Sequence, residues 1–209
     1  MLKHIKQFNK PILLSTGAST FEEIRRTVEL LDGVPIALLH CSLSYPTTVA
    51  DANLNRIQML KEEFPHIILG YSDHTQPQDS EITCPLSVGL GVKVIEKHYT
   101  LNKYAEEDDH YHAVDQDGLK RLVKNCRDAF LMMQGSVEIT DVELEARKFA
   151  RRSIVANTHL SAGTILKAEH LAYKRPGTGI SPTDVNRVIG KHLTQNVEAD
   201  ALITTDLLE

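Results

Sequence analysis

Short apolar runs alternate with amphipathic stretches over the first two thirds of the chain. "PILLST" (Pro11 to Thr16) reads as a strand, and "TFEEIRRTVELL" follows it as a helix, with Thr20 and Glu23 at capping-box spacing and Ile24, Val28 and Leu31 at helical intervals. "PIALLHC" leads in the same way to "DANLNRIQMLKEEF". "HIILGYS" leads to "SEITCPLSVGLG", a helix entered near Asp79 or Ser80 in which Pro85 predicts a break or a first-turn position. "VKVIEKHYT" runs through a polar loop into "DQDGLKRLVKNCRDAFLMMQG". Four β-α units in a row predict a parallel sheet with right-handed crossovers. Apolar runs this continuous belong to strands covered on both faces, in a small open sheet or in half of an eight-stranded barrel.

After Gly135 the texture changes. "VEITDVELEARKFARRS" reads as a charged connecting helix, and from Ser153 to Glu209 short β segments, turns and glycines take over. A short internal repeat lies there: "AGTILKAEHL" (Ala162 to Leu171) returns as "ADALITTDLL" (Ala199 to Leu208), each copy with two apolar residues in a row, then a polar residue, an acid and a closing leucine. The expected division is residues 1–136, a linker helix at 137–152, and a small second domain at 153–209.

Chemistry-bearing residues fall at or just after the strand ends: Ser15, His40, Ser72, His74 and His98. That rim is where ligands bind in either parallel architecture. Neutral imidazoles on neighbouring strands converge on a divalent ion readily, with Asp73 and Glu96 at hand as partners. Equally, a chain with ten histidines places some at strand ends without function. The loop "YAEEDDHYHAVDQD" offers Asp109 or His110 as a general acid or base, and Asp108 beside Asp109 as a carboxylate pair that raises its own pKa values; Glu106 and Glu107 read as solvated. "LLSTG" suits an anion or a plain helix cap. Arg175, in the turn "KRPGTG", either reaches a carboxylate or phosphate or is simply solvated.

Composition narrows the classes. A net charge of −5 with mixed signs gives no basic face for nucleic acid. No apolar run nears the length of a membrane span, and the N-terminus lacks a signal-peptide core, which predicts a cytoplasmic protein. The three scattered cysteines read as reduced thiols.

Taken in order and spacing, "KPILLSTGAST", "ALLHCSLSYPT", "GYSDHT", "VIEKHYT", "DDHYHA" and "KRPGTGISP" resemble the sialic acid synthase family of N-acetylneuraminate and related nonulosonate synthases, spore-coat polysaccharide homologues included. The resemblance implies an α/β fold: strands five to eight of a (β/α)8 TIM barrel, followed by a small antifreeze-like (SAF) domain. It implies condensation of phosphoenolpyruvate with an N-acetyl sugar, typically N-acetylmannosamine, around a divalent ion held by His74 and His98. That ion is commonly manganese, with magnesium and cobalt as the other choices. Ser15 and Ser72 match residues that contact phosphoenolpyruvate, Tyr45 one near the sugar, and Asp109 the acid of the family's "GPD" loop, which here reads "EDDHYH". Leu43 stands where some members carry asparagine. Arg175 matches the SAF arginine that crosses to the partner's active site in a domain-swapped homodimer. Because the family's first four strands are not part of this stretch, the resemblance also predicts an isolated chain without synthase activity. Two other classes fit the residues: a metal-dependent hydrolase or lyase on an α/β scaffold, and a non-catalytic SAF-type carbohydrate-binding or dimerising module.

Overall fold

The four apolar runs are strands: β1 (Ile12–Ser15), β2 (Ile36–Cys41), β3 (Ile68–Asp73) and β4 (Val94–Lys97). The computed structural model describes residues 1–106 and 109–209, which divide into two units, Met1–Gly135 and Ser136–Glu209. In the first unit a short helix, α1 (Leu2–Lys6), precedes β1, and α2 (Phe21–Leu30), α3 (Asn55–Glu63), α4 (Pro77–Gly89) and α5 (Gln116–Met132) follow the strands in turn. At the start of α2, Thr20 Oγ1 accepts from Glu23 N–H while Glu23 accepts from Thr20 N–H at 2.8 Å, so the local capping box closes. Helix α4 departs from the expectation: it starts at Pro77, and Pro85 lies within it. Pro77 occupies the first turn, where a missing N–H costs nothing. Pro85 forfeits one backbone bond, but Ser80, Thr83, Cys84 and Ser87 are buried along one side of the helix, and that packing carries it on to Gly89.

All three strand pairs are parallel, and the spatial order β1-β2-β3-β4 repeats the chain order. A doubly wound sheet reverses direction at a switch point, whereas this one keeps winding the same way. Alternation along the strands separates two faces. Leu14, Leu38, Tyr71 and Ile95 meet the helices in a core with Ile24, Ile57, Leu60, Cys84 and Leu122. Leu39, Cys41, Gly70, Ser72 and Glu96 belong to the opposite face. On that face Leu13 and Ile68 stay 59% and 54% exposed, so the helices cover one side of the sheet rather than both. The result is a curled parallel half-barrel. Among the described residues, β1 and β4 each pair on one side only.

The second unit contains α6 (Asp141–Ala150) and an antiparallel pair, β5 (Ser153–Ala156) with β6 (Leu171–Lys174). Its own core is built on Ile154, Leu166, Val188, Leu193 and Ile203. The internal repeat is structural. Both copies open on a turn with a positive φ, 81° at Gly163 and 68° at Asp200, and both then make one bridge residue, Ile165 and Leu202. Both then bury the next residue completely, Leu166 and Ile203, and end in a 3-10 turn, Ala168–His170 and Thr205–Leu207. Among the described residues no helix is long and apolar enough to cross a membrane.

Candidate metal centre at the strand ends

Parallel register sets Cys41, Ser72 and Glu96 abreast on the face that the helices leave open. Two residues further along the same face come His74 and His98, and their ring centroids lie 5.1 Å apart. His74 Nδ1 donates to Ser42 O at 3.0 Å and lies 3.7 Å from Cys41 Sγ, which leaves Nε2 as its remaining nitrogen. Beneath the histidines, Ser72 Oγ donates to Glu96 Oε1 at 2.6 Å. The Tyr45 ring lies 4.4 Å from that of His74 and 5.9 Å from that of His98, and its carbonyl accepts from Tyr111 Oη at 2.7 Å.

The loop after β4 brings in a third imidazole. Val114 N–H donates to His98 O and Thr100 N–H to Val114 O, both at 2.9 Å, so the loop is tied back against the strand end. Asp109, at φ 73°, opens a 3-10 turn over His110–His112. Residues three apart eclipse in such a turn, which aligns Asp109 with His112. The Asp109 carboxylate lies 3.9 Å from His112 Nε2 and 3.6 Å from His98 Nδ1. Donor atoms of His98, Asp109 and His112 all lie within 4.8 Å of one another. His112 is fully buried, and among the described residues neither of its ring nitrogens has a hydrogen-bond partner. Burial, followed by the charge of neighbouring histidines, lowers the pKa of both His98 and His112 and so favours the neutral ring that a divalent metal binds. Buried imidazole nitrogens without a hydrogen bond beside a carboxylate are a donor set that suits a divalent metal ion.

Tyr45, Ser72, His74, His98 and Asp109 thus share one rim. Ser15 ends β1, where its hydroxyl accepts from Gly17 N–H at 3.3 Å. Burial works to raise the Cys41 thiol, but the His74 imidazole, with the Ser15 hydroxyl contributing, outweighs it and holds Cys41 below its ordinary value. Arg175 belongs to the second unit, where its Nε donates to Ala150 O at 3.1 Å. Two residues read from the sequence as rim chemistry lie on the other face. His40 donates from Nε2 to Ala52 O at 2.8 Å and stacks on Tyr71, and Asp73 pairs with Lys97 at 2.9 Å. Alternation explains both, since each is one residue out of step with the rim. His110 is turned to Thr100 Oγ1 at 2.6 Å. Glu107 and Asp108, the latter read as pairing with Asp109, lie outside the described residues. His112 and Cys41 escaped the sequence reading. The Asp-x-x-His spacing over Asp109 and His112 is the signal that would have found the histidine.

A half-barrel with an imidazole-rich rim, followed by a small antiparallel β domain, sets the class of protein. The chain belongs to the NeuB family, whose pattern matches residues 1–138, and a SAF domain matches residues 151–209. It is 33% identical to an N,N'-diacetyllegionaminic acid synthase of Legionella pneumophila, over 100% of this chain and 60% of the relative. A crystal structure of spore coat polysaccharide biosynthesis protein SpsE from Bacillus subtilis superposes with a TM-score of 0.59 at 28% identity, covering 100% of this chain and 63% of that one. An N-acetylneuraminic acid (sialic acid) synthetase from Leptospira borgpetersenii, solved with citrate, gives a TM-score of 0.64 at 32% identity over 69% of this chain and 50% of that one. The chain spans about 60% of the length of the curated relatives it matches.

Proposed function

We propose that this chain carries the metal-binding and sugar-facing side of a nonulosonic acid synthase, which joins phosphoenolpyruvate to an N-acetyl sugar aldehyde with release of phosphate. The observation that supports it most is the convergence of His74 and His98 on one rim in a member of a family whose relatives include legionaminic, pseudaminic and N-acetylneuraminate-9-phosphate synthases. In the reaction, C3 of phosphoenolpyruvate forms a bond to the aldehyde carbon, whose oxygen takes a proton. Water adds to C2, and the C2–O bond to phosphate breaks. When bound at His74 and His98, a divalent ion, manganese first by family resemblance, supplies Lewis-acid polarisation of the aldehyde oxygen. Asp109, at the open side of the rim, takes the proton of the attacking water. Ser15, Ser72 and the turn at Gly17 hold phosphoenolpyruvate, and Tyr45 lies against the sugar. Arg175 of a domain-swapped partner reaches the acetamido group. These groups act by positioning, so they are needed together.

Because among the described residues β1 and β4 each pair on one side only, the site is walled on one side, and in this reading the chain alone does not turn over. The test has two arms on the full chain with Mn2+. Phosphoenolpyruvate together with N-acetylmannosamine should raise the melting temperature, the His98→Ala chain should show no rise, and phosphate release should stay at background. No shift with either ligand would contradict the assignment, and steady turnover would overturn the claim that one wall is insufficient.

A further inference from the structure

A buried histidine kept only for packing normally has one nitrogen bonded, which fixes its tautomer. His40 does this with its 2.8 Å bond to Ala52 O. His112 does not. It is 0% exposed, and among the described residues both Nδ1 and Nε2 lack a hydrogen-bond partner, the Asp109 carboxylate standing 3.9 Å from Nε2. The rings of Tyr111 and Tyr45, 4.8 and 5.5 Å from its own, line its surroundings with aromatic carbon. Buried nitrogens in such a place need a polar partner to satisfy them.

The surroundings of the ring suggest what that is. The centroid of His112 lies 4.7 Å from that of His98 and 6.4 Å from that of His74, and the donor atoms of His98, Asp109 and His112 fall within 4.8 Å of one another. Metal–nitrogen bonds of about 2.0–2.1 Å put two donors on one ion at most about 4.2 Å apart, so a small side-chain rotation brings His98 and His112 onto one ion, while His74, which lies outside that 4.8 Å group, has to turn its Nε2 toward them. We propose that His112 is a third imidazole ligand of the divalent ion and that it makes the centre select transition ions over magnesium. The proposal rests on reading the rim as a metal centre and goes beyond the His74 and His98 pair. Magnesium favours oxygen donors and keeps its waters, whereas imidazole suits the later first-row ions, so each added nitrogen widens the gap between them.

The probe is Co2+ on the full chain, read without turnover. Proton NMR of the Co2+ form should show three shifted, exchangeable imidazole N–H signals, one from each ligand ring. Competition with a chelating dye should show that His112→Phe weakens Co2+ binding by at least about 100-fold, the upper end of what loss of an outer partner alone costs, while Mg2+ binding changes far less. The metal-free His112→Phe chain should melt at or above wild type, because two unpaired nitrogens are gone; a packing role would lower it. Two signals in the wild-type spectrum, or unchanged Co2+ affinity in His112→Phe, overturns the proposal, and the wild-type spectrum decides even if the variant does not fold. Loss of Co2+ in His98→Ala with full retention in His112→Phe sinks this inference alone. Failure of the wild-type chain to bind Co2+ at all takes the metal reading of the rim down with it.

Discussion

Asp73 and Lys97 end β3 and β4 with side chains 0% and 3% exposed and their charges 2.9 Å apart. Hydroxyls of Tyr71, Thr75 and Thr83 donate to the same carboxylate at 2.8, 2.8 and 3.2 Å, and Lys97 donates to Thr75 O. Burial, and after it the Asp73 charge, pushes the Tyr71 phenol far above its ordinary value, so it remains a donor. Each member of the ion pair immediately precedes a rim histidine, and the network fixes where His74 and His98 begin. Lys97→Met should therefore cost about 3–5 kcal/mol in denaturant unfolding of the metal-free chain, since it strands a buried carboxylate. Adding Asp73→Asn to it should recover part of that loss. His40 predicts a pH effect. Burial lowers its imidazole below the ordinary 6.5, outweighing the bond to Ala52 O, and the charge of Arg56 adds to the lowering. The unfolded chain then takes a proton that the folded chain refuses. Stability from this group is complete above 6.5 and falls as pH drops through 6.5 toward the lowered folded value. Stability measured against pH should show a shallower acid limb in His40→Leu than in wild type.

Within the sheet, Gly70 of β3 lies between Leu39 and Val94. A Cβ there would meet Leu39 Cγ at 2.8 Å and the Val94 carbonyl oxygen at 2.9 Å. Gly70→Ala should lower stability by about 1–3 kcal/mol through overpacking, and thermal melts would show it. If that variant instead melts like wild type, the close β2–β3–β4 approach is wrong. The strands and the capping box at Thr20 and Glu23 were legible because their signals are local. That His74 and His98 stand side by side on one face was legible because strand alternation has a period of two. Asp73 and His40 were misplaced for the same reason, as one residue of register exchanges the faces. Pro85 misled because propensity yields to packing in α4. His112 was hidden because its 3-10 turn is held by Val114 bonding back to His98 and Thr100 with Val114, a tie that residue types do not reveal.

Over the whole molecule, the second unit has a complete core of its own, with both copies of its repeat contributing a fully buried residue. Residues 136–209 expressed alone should give a dispersed NMR spectrum and a cooperative melt; a collapsed spectrum would count against an independent core. The half-barrel is different, with open strand edges and Leu13 and Ile68 exposed on its inner face. Such edges favour association. The proposed function requires the strand-end rim of the half-barrel to be a metal centre. Titrating Mn2+ into the full chain while following the free-ion EPR signal tests that claim directly. The account predicts that the signal is suppressed until one ion is bound per chain and that His98→Ala abolishes the suppression. A signal that rises as it does in buffer, or a His98→Ala chain that binds like wild type, would contradict it.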